Sequence, residues 1–321
     1  MLPRQRALLV VLLVAFVTSP RLVARDPPSG AGVGQGGDAA EEARLLAGAI
    51  DIHVHSYPDN RPRSLDALDA ARHAKAHGMR AIVLKNHDDS TAGLASIVQT
   101  VVSGIEVFGG IALNRSVGGI NPAAVEHMVS LPGGRGRVVW MPTFDSENGV
   151  RRAGENRPYV SVVRNGELLP EVREVIALTA KHDLVLATGH SSPAEALLLL
   201  QEGRRAGVKH MVVTHAMFTP VFMTVPQMKE AASLGAYIEF AGGNPGGNGG
   251  AERMKSFADA IRAIGVESCI LSTDLGQANN PLPADGFGAL LMALRRLGLT
   301  AQELDRMAKQ NPATLLGLDP P

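Results

Sequence analysis

Between residues 49 and 297, short apolar runs alternate with amphipathic stretches, and this alternation restricts the fold more than any single motif. The runs at 49–55, 81–85, 106–113, 138–142, 184–188, 210–214, 236–240 and 269–273 are mostly rich in Val and Ile. Such runs fit strands buried on both faces of a parallel sheet. Helical patterns lie between and after them, at 64–76, 91–102, 122–130, 170–182, 193–206, 225–234, 251–264 and 284–297. The first opens on Ser64, a capping residue, and stops at His77 and Gly78, while Pro170 and Pro193 sit at first-turn positions of theirs. Eight strands alternating with about eight helices predict an α/β chain folded as a (β/α)8 TIM barrel. A doubly wound open sheet has the same periodicity. Residues 145–169 break the pattern, and Asn165-Gly166 between short apolar runs predicts a β-hairpin inserted after the fourth strand. An insertion there lies over the C-terminal mouth, where barrel chemistry sits.

The ends of the chain read differently. Arg4 and Arg6 precede an apolar run at 7–17, followed by Thr18, Ser19 and Pro20. This is a signal-peptide pattern over 1–24, with Leu22-Val23-Ala24 as the cleavage site, and it predicts export to the periplasm or beyond. The run is short for a membrane span, so no stable span is expected after processing. A tethering segment, or an upstream extension of a cytoplasmic protein, shares the pattern. Residues 25–38 are rich in Pro and Gly and read as a flexible linker, leaving 39–321 as the barrel domain. The chain has 31 basic and 31 acidic side chains and 4% aromatics, which argues against a nucleic-acid partner. Its one cysteine, Cys269, excludes an intrachain disulfide and reads as a buried thiol.

The polar residues at the strand ends carry the chemistry. In AIDIHVHS, residues 49–56, Asp51, His53 and His55 stand at every second position and so share one face of a strand. Two imidazoles on one face can converge on a cation. A core strand with two hydrogen-bonded histidines has the same spacing. The second run places Lys85 and His87 on one face, the fourth ends near Asp145, the fifth at His190, the sixth at His215 and the eighth at Asp274. In a barrel, four of these histidines, His53, His55, His190 and His215, would meet Asp274 at one mouth. Asn114 and Arg115 follow the third strand, where an Arg could hold an anionic substrate group or simply stand in solvent. Glu239 reads as an interior polar residue, and residues 242–250 as a lid or plain loop. His73, His77 and His182 fall on helices or their ends, in solvent. Ser191 and Ser192 lack the nucleophile-elbow pattern.

On these residues the chain resembles the amidohydrolase superfamily, which has His-x-His after the first strand, His after the fifth and sixth, and Asp after the eighth. His53, His55, His190, His215 and Asp274 match those positions, and Asn-Pro-Ala-Thr-Leu-Leu-Gly-Leu at 311–318 is similar to the usual ending. The resemblance spans residues 45 to 318. It implies a metal-dependent hydrolase of small molecules, with one or two divalent cations, zinc foremost. His53, His55 and Asp274 would hold one ion, and His190 and His215 a second or the same one. Asp274 would take the proton from the attacking water. Amide or cyclic-amide C–N bonds are the implied substrates. A lactone or phosphoester hydrolase, a metal-dependent decarboxylase and a non-catalytic metal- or ligand-binding barrel stay open, as does a homo-oligomer. The chain departs from the family at 138–144, which has no Lys or Glu to bridge two metals. Lys85 is a candidate carbamate bridge, or pairs with Asp51 or Asp145, or touches substrate. His87 is a further ligand, a substrate contact or a cap on the turn at Asp88 and Asp89. With Asn114, Arg115 and Asp145 it completes the candidate substrate-binding set.

Overall fold

The eight apolar runs become eight parallel strands. The computed structural model describes residues 32–319. In chain order the strands are β1 (Ile50–His55), β2 (Ala81–Lys85), β3 (Glu106–Ala112) and β4 (Gly136–Trp140), then a hairpin of β5 (Val163–Arg164) and β6 (Glu167–Leu168), then β7 (Val185–Ala187), β8 (His210–Val213), β9 (Ala236–Ala241) and β10 (Cys269–Ser272). Parallel ladders join them in the order β1-β2-β3-β4-β7-β8-β9-β10. The two ends of that order meet without a ladder. Val54 and Leu275 form one parallel bridge, the His55 N–H donates to Leu275 O (2.8 Å) and the Asp274 N–H to His53 O (3.0 Å). The sheet thereby curls into a (β/α)8 barrel rather than lying open.

Two apolar layers hold it. Ile50, Val83, Phe108, Val138, Trp140, Val185 and Val212 fill the interior. Val54, Leu84, Val107, Val139, Leu186 and Val213 face the helices. The short helix Asn311–Leu315 adds Ala313 and Leu315 to the interior cluster.

The structure corrects the sequence reading in three places. β1 pairs Asp51 with Ile82 but Val54 with Leu84, so one extra residue bulges out between them. A bulge reverses the in–out alternation. Ile50 and Ile52 point inward before it, His53 and His55 after it, and Asp51 is left on the outer face rather than beside the two histidines. The expected linker at 25–38 is helical from Gly32, in the helix Gly32–Leu46. Burial of Leu45 and Leu46 and the pairs Asp38–Arg296 and Glu41–Arg295, each 2.8 Å, outweigh the poor helix propensity of its glycines. The signal peptide expected at 1–24 lies outside the described residues. The first barrel helix is Ala67–Ala76, capped by Asp66 rather than Ser64. The hairpin turns at Asn165 and Gly166, both at positive φ, with only two residues a side. Among the described residues no helix is long and apolar enough to cross a membrane.

Candidate metal centre

Parallel strands end on one rim, so the residues that follow their apolar runs are neighbours in space. Five imidazoles close a ring there. Ring centroids are 5.3 Å apart for His53–His55, 4.8 Å for His55–His87, 6.2 Å for His87–His190, 4.9 Å for His190–His215 and 6.0 Å for His215–His53. Phe144 covers His87, with centroids 4.0 Å apart. Strand-end backbone sets these directions. His215 and Asp274 sit at positive φ, 26° and 53°. Gly189, at φ 61°, passes so close to Met141 O that a Cβ would overlap it, and this puts His190 over the rim.

His53 is the pivot. Its Nδ1 donates to Glu239 Oε1 (3.0 Å), and its Nε2 faces Asp274 Oδ1 (3.0 Å) and Lys85 Nζ (2.9 Å). Glu239 also accepts from Ser272 Oγ (2.7 Å) and from the His215 N–H (2.7 Å). Burial would raise the Glu239 carboxyl, but the charge and hydrogen bond of His53 and the contacts of His215 pull it down to about 2. As a carboxylate it can only accept, so Nδ1 of His53 carries the proton. His55 Nε2 meets the same Asp274 oxygen at 3.1 Å. Burial would also raise Asp274, and the charge and hydrogen bonds of His53, with those of His55, hold it well below its ordinary value.

The other imidazoles are neutral. Burial lowers His55 and His215 to about 4, and lowers His87 and His190 well below the usual histidine range. His53 moves the other way, to about 9. Burial opposes the shift, but the charges of Asp274 and Glu239 outweigh both burial and the repulsion of Lys85. The pocket thus draws positive charge to the space between two carboxylates and a set of neutral lone pairs.

A divalent cation fits this donor set. One donor atom from each of His53, His55 and Asp274 lies within 4.8 Å of the others, and both Nε2 atoms face Asp274 Oδ1. Donors about 2.0–2.2 Å from one tetrahedral zinc are roughly 3.4 Å apart, near the 3.0 and 3.1 Å found here. The Nδ1 atoms of His55 and His215 are buried without hydrogen-bond partners among the described residues. His190 and His215 stand beside this group rather than in it.

The remaining candidates separate. Lys85 ends β2, fully buried, with Nζ on His53 Nε2 and 5.3 Å from the Trp140 ring centroid. Burial lowers its pKa to about 8. Its expected partners lie elsewhere. Asp51 accepts from the N–H (3.1 Å) and Oγ1 (2.6 Å) of Thr273, and Asp145 pairs with Arg157 (2.6 Å). His87 lines the mouth with its Nδ1 on Thr143 Oγ1 (2.9 Å), and it is Asn86, not His87, that caps the turn at Asp88. Asn114 is committed to the scaffold, donating to His87 O and Thr143 Oγ1 and accepting from the N–H groups of Thr143 and Asp145. The Arg115 side chain is exposed and lines a separate cleft with Tyr159 and Arg164. Those three, Asn114, Arg115 and Asp145, have no free group at the mouth.

Sequence reasoning passed over Thr143 and Phe144 and gave Glu239 no role at the site. A carboxylate inside the apolar run of β9 was the available signal, since a buried charge needs partners.

A family model described as a family of unknown function (DUF6282) matches residues 48–239. No curated protein matches the chain. Among solved structures, an amidohydrolase from Pseudomonas aeruginosa superposes with a TM-score of 0.61 at 13% identity, over 86% of this chain and 98% of that one. A zinc-bound amidohydrolase from Burkholderia multivorans gives 0.58 at 16%, over 85% and 100%. The metallopeptidase dipeptidase AC gives 0.55 at 14%, over 84% and 98%. At these identities the likeness is one of fold.

Proposed function

Because the chain belongs to the family of unknown function DUF6282, we propose its activity from the mouth itself: a metal-dependent hydrolase of small molecules, acting on an amide or cyclic-amide C–N bond. One observation carries this reading. His53 Nε2, His55 Nε2 and Asp274 Oδ1 converge while a buried carboxylate, Glu239, fixes the other nitrogen of His53. An outer carboxylate that orients a ligating imidazole is the usual second layer of a metal site. The amidohydrolase fold, and the zinc reported for one structure of that fold, agree with it.

His53, His55 and Asp274 would hold the ion, with His215 and His190 completing its surroundings. A divalent cation, zinc foremost, supplies Lewis acidity and makes hydroxide available near neutral pH. The protein does the rest. His55, His190 and His215 are neutral and present lone pairs, while His53 has to release a proton when an ion binds. Asp274 is ionised and takes the proton of the attacking water at its carboxylate, then returns it to the leaving nitrogen. Phe144 packs on His87 at one side of the mouth.

The contact of Lys85 with His53 Nε2 favours a single ion with Lys85 as a free amine. At 2.9 Å the amine itself occupies the neighbourhood of a ligand atom, where a carbamate bridge would hold the two nitrogens further apart.

Metal analysis of purified protein, paired with a panel of amides, cyclic amides, lactones and phosphoesters, tests the function. We expect one zinc equivalent that depends on His53 and His55, and chelator-sensitive turnover of amides. Asp274→Asn should lower kcat by at least about 100-fold with the fold intact. A protein that takes up no divalent ion, or an Asp274→Asn variant with wild-type turnover, would defeat the reading. We propose further that residues 1–24 direct export. N-terminal sequencing of the native protein should find a start near residue 25.

A further inference from the structure

We propose that His73, His77 and Asp285 form a second divalent-metal site, of zinc type, that clips together two outer helices across the seam of the barrel. His73 and His77 stand four residues apart at the C-terminal end of helix Ala67–Ala76, with His77 as its C-cap. Residues so spaced share one helix face. Asp285 comes from the first turn of helix Pro283–Arg296. One oxygen, Asp285 Oδ1, lies 3.4 Å from His73 Nε2 and 3.1 Å from His77 Nε2, and the three donor atoms all fall within 4.8 Å. Both distances are near the roughly 3.4 Å between ligands of a tetrahedral zinc.

A second observation points to a cation. His77 Nδ1 lies 2.9 Å from His73 O. A carbonyl only accepts, so Nδ1 is the donor and Nε2, the ring's remaining coordination position, is the atom turned toward Asp285. A lone pair facing a carboxylate at 3.1 Å is repulsive until a positive charge stands between them. Each ring would need a proton of its own on Nε2. A metal would serve both rings, whose centroids are 4.5 Å apart. The carbonyl end of the helix favours a cation in the same place. Glu42 adds to the negative surroundings. It lines one cleft with His77, and its carboxylate rests where a Cβ of Gly288 would stand, one turn on from Asp285. All three donors keep part of their surface in solvent, so an ion can enter.

The position gives the site a role. Helix Ala67–Ala76 follows β1, and helix Pro283–Arg296 follows β10. These are the strands joined by a single bridge instead of a ladder. A metal here would staple the outer layer over that join.

Chelator-stripped protein titrated with zinc decides the matter, with bound metal counted by equilibrium dialysis and Tm followed by calorimetry. The double variant His73→Ala/His77→Ala should bind one zinc fewer than wild type. It should also forgo a Tm gain of about 5 °C when free zinc is about 100-fold above Kd. Asp285→Asn, a milder surface change, should weaken the same binding step. Cobalt(II) should give wild type a visible absorption component that both variants lack. Equal zinc counts in wild type and the double variant would overturn the proposal. So would an Asp285→Asn variant that lowers the zinc-free Tm and leaves zinc binding unchanged, the behaviour of an ordinary His–Asp ion pair.

Discussion

Glu239 accepts hydrogen bonds from His53, Ser272 and the His215 backbone while shut off from solvent. A Gln keeps the bonds from His53 and Ser272 only with its oxygen in the place of Oε1, which sets its NH2 group against the His215 N–H; turned round, the NH2 group faces the proton on His53 Nδ1 instead. Either way the charge that steadies His53 is lost, and with it one of the bonds that orient the rings at the mouth. Glu239→Gln should therefore weaken metal binding by about 10–100-fold with circular dichroism unchanged. Wild-type affinity in a zinc titration would reduce Glu239 to packing. Lys85 is tested by Lys85→Met, which keeps the apolar stem and removes the amine. If the amine acts on its own, Lys85→Met should keep its metal and lose turnover, and added short-chain acids should not restore it. Loss of the metal together with activity would instead favour the carbamate.

The turn after β7 shows how an element delivers a side chain. Gly189 at φ 61° lies against Met141 O and Pro142 O, and the His190 N–H donates to Pro142 O at 2.9 Å. An added methyl needs both a strained backbone and a shift of the β4 end. Gly189→Ala should cost about 2–4 kcal/mol in urea unfolding and lower activity by moving His190. Unchanged stability would mean that the turn yields more freely than its contacts imply. Elements like this one were legible in the sequence, because strand ends are where apolar runs stop, and His190, His215 and Asp274 each follow such a stop. The bulge in β1 was not legible. IDIHVH alternates evenly along the chain, and only pairing with β2 shows the extra residue that parts Asp51 from His53. Glu239 was visible as a residue but not as a partner of His53, which stands 186 positions away. The commitments of Asn114 and Asp145 were hidden for the same reason, since their partners come from other loops. The helix from Gly32 rests on docking against helix Pro283–Arg296, which no local propensity reports.

At the scale of the whole barrel, closure rests on a side chain where the other strands use ladders. Asp51, on the outer face of β1, accepts from the backbone and hydroxyl of Thr273 and from its own chain at the His53 N–H (3.1 Å). Beside it, two backbone bonds tie His53 and His55 to Asp274 and Leu275. Asp51→Ala would leave two buried N–H groups unpaired, so it should destabilise by about 3 kcal/mol or more. It should also speed hydrogen exchange at the Asp274 and His55 amides ahead of the rest of the sheet. Asp51→Asn should be tolerated, because the amide oxygen can take both N–H groups and the NH2 can donate to Thr273 Oγ1. The hydroxyl proton of Thr273 can then turn to His53 O, already 3.3 Å away. The carboxyl and the amide differ in pH response. Burial, opposed by the bonds from Thr273 and the His53 backbone, raises the Asp51 carboxyl to about 7 from 3.8. The folded protein holds that proton across a range where the unfolded chain has released it. The stability this contributes is complete below pH 3.8 and is lost as pH rises through about 7, at up to about 1.4 kcal/mol per pH unit. The amide of the Asp51→Asn variant has no such proton. In metal-free protein the stability of Asp51→Asn relative to wild type should therefore climb between about pH 4 and pH 7 and level off above that. A difference that stays flat over this range would mean that Asp51 is ionised when folded, and that the seam is held by a charge rather than by a neutral acid.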